Sequence, residues 1–428
     1  MIQSLKNAWS TPEIRKKLLF TAFILILYRL GAAIPVPYIS SDALVYIMSN
    51  SQGSILNWLN ILSGDALSKA TLFALGVSPY ITSSIVMQLL TIAIPALERL
   101  SKEGEEGRKK INSITRYVTV ALALITSYGY YMLMRNYGVL TDTGVFAAIV
   151  IIACYCAGAA LIMWLAEKIN DSGIGNGISL ILFINIVATV PNIVASLWNQ
   201  IRSGWLGIIY AIITVVFTIA AIAFIVWMTN SERRIPVQYA KKVVGRKMYG
   251  GQGTNLPIKL NMTGVMPIIF ASSIVSLPAT IGAFFPTPSK GTFWYGLLSF
   301  FSPTSWFYVI LFFVLMIAFA YFYVSISFNP VEVANNLKQN GGSVPGIRPG
   351  KPTSDYITKI LNRITLIGAL FLSVIAVLPL VINIISGGTL SGLAFGGSSL
   401  IIVVGVVLET IRDIEAQMTL RHYKGFLE

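Results

Sequence analysis

Runs of about twenty apolar residues, the length that crosses ~30 Å of hydrocarbon as a helix, recur along the whole chain between shorter polar stretches. They are continuous rather than alternating, so they read as helices and not as the strands of a barrel. Ten stand out: Leu18–Ala33, Phe73–Ile94, Tyr117–Met134, Val145–Ala166, Gly177–Trp198, Trp205–Thr229, Thr263–Phe285, Trp306–Phe328, Ile364–Ile385 and Leu393–Leu408. One phrase occurs twice. Gly76–Val86 reads GVSPYITSSIV and Gly264–Val275 reads GVMPIIFASSIV, with one extra residue in the second copy. Coincidence within a small alphabet of Gly, Ser, Ile and Val would explain the match. The places of the two copies, on the second and seventh runs, favour a repeat. Five runs plus five, an odd number in each half, would insert the halves in opposite directions, as in inverted-repeat proteins.

Two parts of the pattern depart from simple spans. Ser54–Ala74 is mildly amphipathic, carries Ser63-Gly64-Asp65, and leaves no room for a separate crossing before the second run. It reads as a short re-entrant helix, with an interfacial surface helix as the alternative. The other departure is a pair of long polar loops, Asn230–Asn261 and Asn329–Asn362, whose Gly, Pro and Lys content excludes burial in lipid. Loops of about thirty residues are uncommon unless they function or are disordered.

Composition and charge sharpen this picture. Of 428 residues, 55% are hydrophobic and 11% charged, against about 25% charged in soluble domains. The chain is read as an integral membrane protein. Numbering the connections alternately puts 26 of the 31 lysines and arginines on one side of the membrane and four on the other, with Arg29 inside the first span. By the positive-inside rule both termini are then cytoplasmic, and most of the net charge of +14 is this asymmetry. Lys16 and Lys17 ahead of the first run fit a signal peptide, but Arg29 and the following Pro35-Val36-Pro37 favour an uncleaved span.

Chemistry is sparse. No span carries an acidic residue at its centre, and every aspartate and glutamate lies in a connection or near a span end. Cys154 and Cys156, two positions apart on one helix, point to nearly opposite faces, and His422 is the only histidine. Neither a metal site nor a disulfide follows. GIGNG at Gly173–Gly177 lacks the lysine and preceding strand of a phosphate loop, and reads instead as the end of one helix and the start of the next. No catalytic residue and no cofactor is expected. The basic loops could face an acidic partner, RNA or anionic lipid, or serve topology alone.

Six separate stretches, FALGVSPYITSSIVMQLL, KEGEEGRKKI, GIGNGIS, NMTGVMPIIFASSI, FNPVEVANNLK and VPGIRPG, carry a resemblance across all ten spans. The chain resembles the SecY family, whose members form the central subunit of the bacterial protein-conducting channel. The resemblance implies an all-α membrane protein of ten helices in two inverted halves, residues 1–203 and 204–428, hinged between spans five and six. It implies a ring of six aliphatic side chains at the waist: Val77, Ile81, Ile178, Leu182, Ile269 and Ile402. The competing reading of these six is ordinary core packing. It implies a plug at about Asn57–Ala70, with Gly64 at its bend and Asp65 beside it. A lateral gate is expected between spans two and three and spans seven and eight, where Ser83, Ser84, Ser272 and Ser273 lie on helices that must part. Arg246, Lys247 and Arg348 match docking positions for the ribosome and the motor ATPase SecA. SecE-like and SecG-like small subunits, a translocating polypeptide with its signal sequence, and lipid are the implied partners, and the bacterial cytoplasmic membrane the implied location. The rivals are an inverted-repeat secondary transporter for a neutral solute and an intramembrane enzyme, the latter disfavoured by the missing ionisable groups.

Overall fold

The computed structural model describes residues 9–41, 43–45, 63, 65–202, 204–239, 242–244, 247–249, 253–282, 293–302, 305–385 and 396–424. Helices dominate: α1 Pro12–Gly31, α2 Ser78–Ala93, α3 Pro95–Lys102, α4 Glu105–Asn136, α5 Val145–Ser172, α6 Gly177–Arg202 and α7 Trp205–Asn230. After a group of strands come α8 Met266–Gly282, α9 Phe293–Phe300, α10 Trp306–Ser327, α11 Pro330–Gln339, α12 Lys351–Ile385 and α13 Gly396–Lys424. Each of the ten apolar runs contains a helix. Among the described residues six helices are long and apolar enough to cross a membrane by themselves, and a seventh span results if α2 and α3, bent by 100° at Ile94, count as one. The others fall short for visible reasons. Lysines and arginine crowd the start of α1, α8 has 17 residues, and the second half of α13 is polar.

Helix α1 packs on α5 and α6, α2 on α4, and α4 on α5. Likewise α7 packs on α13, α12 on α10 and α13, and α8 on α10. The two sets touch where α2 meets α8 and where α6 meets α7 and α13. One apolar core runs through both, from Ile24 and Tyr28 on α1 to Ile402 and Leu408 on α13. Outward faces stay apolar, as lipid requires. Exposed tryptophans 164, 198, 205, 227 and 306 sit toward helix ends, where aromatic side chains favour the membrane–water interface.

The segment read as a re-entrant helix is different where it is described. Residues 65–70 form successive turns, and the second span becomes helical only at Ser78, with Pro79 in its first turn. The cause is local. Asp65 and Ala70 hold positive φ of 65° and 46°, which no helix continues through. Nor does this segment lie on the surface: Ala66, Leu67, Ala70 and Thr71 are all buried. Its backbone is instead tied to the chain after α1, with Val36 N donating to the Ala70 carbonyl and Leu72 N to that of Ile34, each at 2.9 Å. Residues 54–62 and Gly64 lie outside the described residues.

The two polar loops are also more ordered than their composition suggests. Strand β1 (Glu232–Tyr239) pairs antiparallel with β4 (Gly253–Lys259), with a short hairpin of β2 (Lys242–Val244) and β3 (Lys247–Tyr249) between them. The second loop contributes β5 (Gly342–Ser343) to the other edge of β1, giving sheet order β4-β1-β5. Helix α11 and the first turns of α12 cover this sheet. Ile235, Ile258, Val344, Ile357 and Leu361 are buried together with Val324 of α10 in a separate apolar core. The ninth span thus begins thirteen residues before its apolar run, because Lys351–Arg363 is an amphipathic extension of the same helix.

Truncating fully buried Ile258 to alanine should destabilise this small sheet by about 2–5 kcal/mol. Amide hydrogen exchange should accelerate in β1 and β4 and stay unchanged in α5, whereas unchanged exchange in β1 would show that this core does not hold the sheet.

Candidate pore constriction

Val77 caps the start of α2 and Ile81 follows one turn later on the same face. Leu182 lies near the start of α6, Ile269 in the first turn of α8, and Ile402 near the start of α13. These five aliphatic side chains are between 2% and 5% exposed, and all line a single cavity of about 720 Å³, counting the space at its mouth. The sixth candidate, Ile178, is half-buried one turn before Leu182 and packs on the same core, but it is not on the cavity wall. Thr126 and Tyr130 of α4, Ser272, Ser273 and Ser276 of α8, and Ser63 and Gly76 are also among its lining residues.

The polar lining is made of hydroxyls, and no carboxylate, ammonium, guanidinium or imidazole is among the described lining residues. The α8 hydroxyls are spent within their own helix. Ser272 and Ser273 donate to the Ile269 carbonyl at 2.9 and 2.8 Å, and Ser276 donates to that of Ser273 at 2.8 Å. The surface facing the cavity is therefore apolar with few donors to offer. No group of three potential metal ligands occurs among the described residues.

The gate candidates separate. Helices α2 and α8 are in contact, and Ser272 and Ser273 face the cavity beside that contact. Ser83 faces elsewhere: its hydroxyl donates to the Thr115 carbonyl of α4 at 2.8 Å, so it fastens α2 to α4 and does not sit on the α8 side. Half-buried Ser84 accepts from Gln88 Nε2 at 3.4 Å on its own helix.

Of the plug candidates, Asp65 and Ala70 are described, while Asn57 and Gly64 lie outside the described residues. Asp65 Oδ2 accepts from Asn192 Nδ2 of α6 at 2.6 Å. Ser63 Oγ accepts from Leu67 N at 3.2 Å, and Leu67 is fully buried. This short segment is thus held against α6 at one end and against residues 34–36 at the other. Asn192 was not legible as a partner, although an asparagine beside Pro191 inside an apolar run is an available signal.

Among the docking candidates, Arg348 is exposed on the turn before α12, where its carbonyl accepts from Thr353 Oγ1 at 2.8 Å. Lys247 opens β3, and Arg246 lies outside the described residues. Burial pushes the Lys259 ammonium on the neighbouring strand below its usual pKa; Arg412 adds to this and Glu232 opposes it. GIGNG does end α5 and start α6. Its amides are caught by side chains from three elements: Ile174 N donates to Thr21 Oγ1, Gly175 N to Asp413 Oδ2 and Gly177 N to Asn170 Oδ1.

An apolar helical bundle with an aliphatic, hydroxyl-lined cavity at the meeting of two helix sets defines a multi-pass membrane channel. Comparison with known proteins gives the family. A sequence model described as SecY matches residues 71–411. Proteins named protein translocase subunit SecY from Streptomyces galbus and Mycobacterium tuberculosis are each 42% identical over the full length of both chains. In fold, the chain is similar to the solved structure of a protein-conducting channel, with a TM-score of 0.66 at 18% identity over 94% of this chain and 92% of the other. It is similar also to canine Sec61 in a ribosome–channel complex from the endoplasmic reticulum, with a TM-score of 0.64 at 17% identity over 94% and 92%. The chain belongs to the SecY family, and it is a protein-conducting channel subunit of a protein translocase.

Replacing Asn192 with alanine should loosen the segment that Asp65 anchors. In a chain with Cys154 and Cys156 replaced by serine and carrying Ser63→Cys, the introduced thiol should react with a charged reagent ~5-fold faster, the equivalent of about 1 kcal/mol for one partly exposed hydrogen bond. An unchanged rate would show that this bond does not hold the segment.

Proposed function

We propose that Val77, Ile81, Ile178, Leu182, Ile269 and Ile402 form the seal of a passive channel through which unfolded secretory polypeptides cross the bacterial cytoplasmic membrane. The single observation that carries this reading is the meeting of five of these side chains, from four helices and the cap of α2, on one cavity without ionisable lining. A narrow aliphatic waist excludes hydrated ions by dewetting. It also gives a passing chain no charge or strong hydrogen bond to stall on.

On this reading the turns around Asp65–Ala70, with the preceding residues from Asn57, act as a plug for the cavity that Ser63 helps to line. Residues 1–203 and 204–428 act as two inverted halves. The contact between α2 and α8 is the gate through which a signal sequence or a nascent membrane helix leaves sideways into lipid, with Ser84, Ser272 and Ser273 on the parting helices. Ser83, bonded to α4, keeps α2 attached to its neighbour as the gate opens. The strand-rich basic end, with Arg246, Lys247 and exposed Arg348, docks a ribosome or the motor SecA on the cytoplasmic side, where both termini also lie. SecE-like and SecG-like subunits complete the complex. The chain supplies no chemistry, so energy comes from the motor or from translation. Membership of the family sets the neutral-solute transporter aside.

Changing Ile81 and Ile269 together to serine should raise the resting ion conductance of the channel in planar bilayers by about tenfold or more, because a polar waist wets. Unchanged conductance would remove these side chains from the seal. Arg348→Glu should weaken ribosome or motor binding ~10-fold while leaving that conductance unchanged, whereas unaltered binding would show that Arg348 is not at the docking face.

A further inference from the structure

Two glycines join the basic end of the molecule to the cavity through α12. Gly368 lies against the chain just after β4: a Cβ there would stand 2.5 Å from the Leu260 carbonyl oxygen. Leu260 in turn donates to the Ser231 carbonyl at 2.9 Å, extending the β1–β4 pairing. Two turns further along α12, a second close approach occurs. A Cβ on Gly397 of α13 would stand 2.7 Å from the Ile375 carbonyl oxygen and 2.9 Å from that of Ala376. Pro379 has no N–H to give to the Ile375 carbonyl four residues back, so this is where α12 offers its backbone to a neighbour. Ile402 follows Gly397 by little more than one turn of α13.

Helix α12 is one continuous element from Lys351 to Ile385. Its first part is buried in the core of the strand-rich end through Ile357 and Leu361. Its later part is buried with Ile401 and Ile402 through Leu372, Ile375 and Ala376. Backbone-to-backbone approaches of this kind leave no flexible side chain to absorb a displacement, and packed helices shift as units.

We infer that Gly368 and Gly397 are positioning residues for Ile402: together they seat α12 between the sheet and α13, so that a displacement of the sheet is carried to the cavity-lining side chain. This deepens the reading of Ile402 as a pore residue and of the sheet as a docking platform. It supplies the link between them: force on the platform reaches the waist along α12 and the start of α13.

The test follows the side chain directly, so it does not depend on whether Ile402 seals the pore. The full chain carries Ile402→Cys, with Cys154 and Cys156 replaced by serine, and the rate of the introduced thiol with a cationic methanethiosulfonate is measured. Gly368→Ala is the perturbation, chosen because alanine favours the helix while its Cβ must push α12 off Leu260. It should change the rate ~3-fold or more. In a background softened between the two joints by Leu370→Gly and Val374→Gly, both exposed positions, that change should vanish. Gly397→Ala, which acts next to Ile402, should change the rate equally in both backgrounds. The inference is overturned if Gly368→Ala leaves the rate unaltered, or alters it to the same extent in the softened chain. Failure of the seal reading would appear separately, as unchanged conductance in the Ile81 and Ile269 double variant.

Discussion

In hydrocarbon a backbone amide has no water to turn to, so each polar group must find its partner inside the fold. Most of this chain answers with helices. The informative places are those that answer otherwise. Residues 65–77 are irregular and, apart from exposed Lys69 and half-buried Asp65 and Leu72, buried, and they persist because Val36, Leu72 and Thr71 amides are given carbonyls across the turn, at 2.9 Å each. The hydroxyls on α8 meet the same demand by bonding to their own helix. With polar groups satisfied locally, the cavity can present aliphatic surface without exposing unpaired backbone. That is the physical condition for a waist that ions avoid and a polypeptide does not adhere to.

Much of this was legible from residues alone. The ten apolar runs each contain a helix because length and continuity of hydrophobicity dominate local choice in lipid. GIGNG was readable as a helix break because glycines and an asparagine cannot continue α5. Other features were hidden. ERRIPVQY alternates as a strand should, with Ile235 and Val237 buried, but Pro236 and the surrounding charge disguised it as loop. Its partner β5, two residues long and about a hundred positions away, carries no signal of its own. The direction of Ser83 was likewise beyond sequence reading, since a serine on an amphipathic-neutral helix gives no clue to which neighbour it faces. The turns at Asp65 and Ala70 lacked the glycine that usually marks positive φ.

The strand-rich end changes how the molecule is understood as a mechanism. Loops would transmit little. A sheet with its own apolar core, sharing two helices with the membrane core, is a body that can be pushed. Val324 at the far end of α10 and Ile364 on α12 belong to that small core, so two membrane helices grow directly out of it. A partner docked there, as proposed, would act on helices that pack against α8 and α13, two of the helices lining the cavity, where docking on flexible loops would only tether a partner nearby.

The central claim is that an unfolded chain passes the aliphatic waist. A photo-reactive side chain placed in turn at Ile81, Leu182, Ile269 and Ile402, with a secreted polypeptide stalled in transit, tests it most directly. The account predicts crosslinks to the stalled polypeptide from all four positions and none from lipid-facing Ile219 on α7. Crosslinks to lipid or to neighbouring helices alone at the four positions would contradict it.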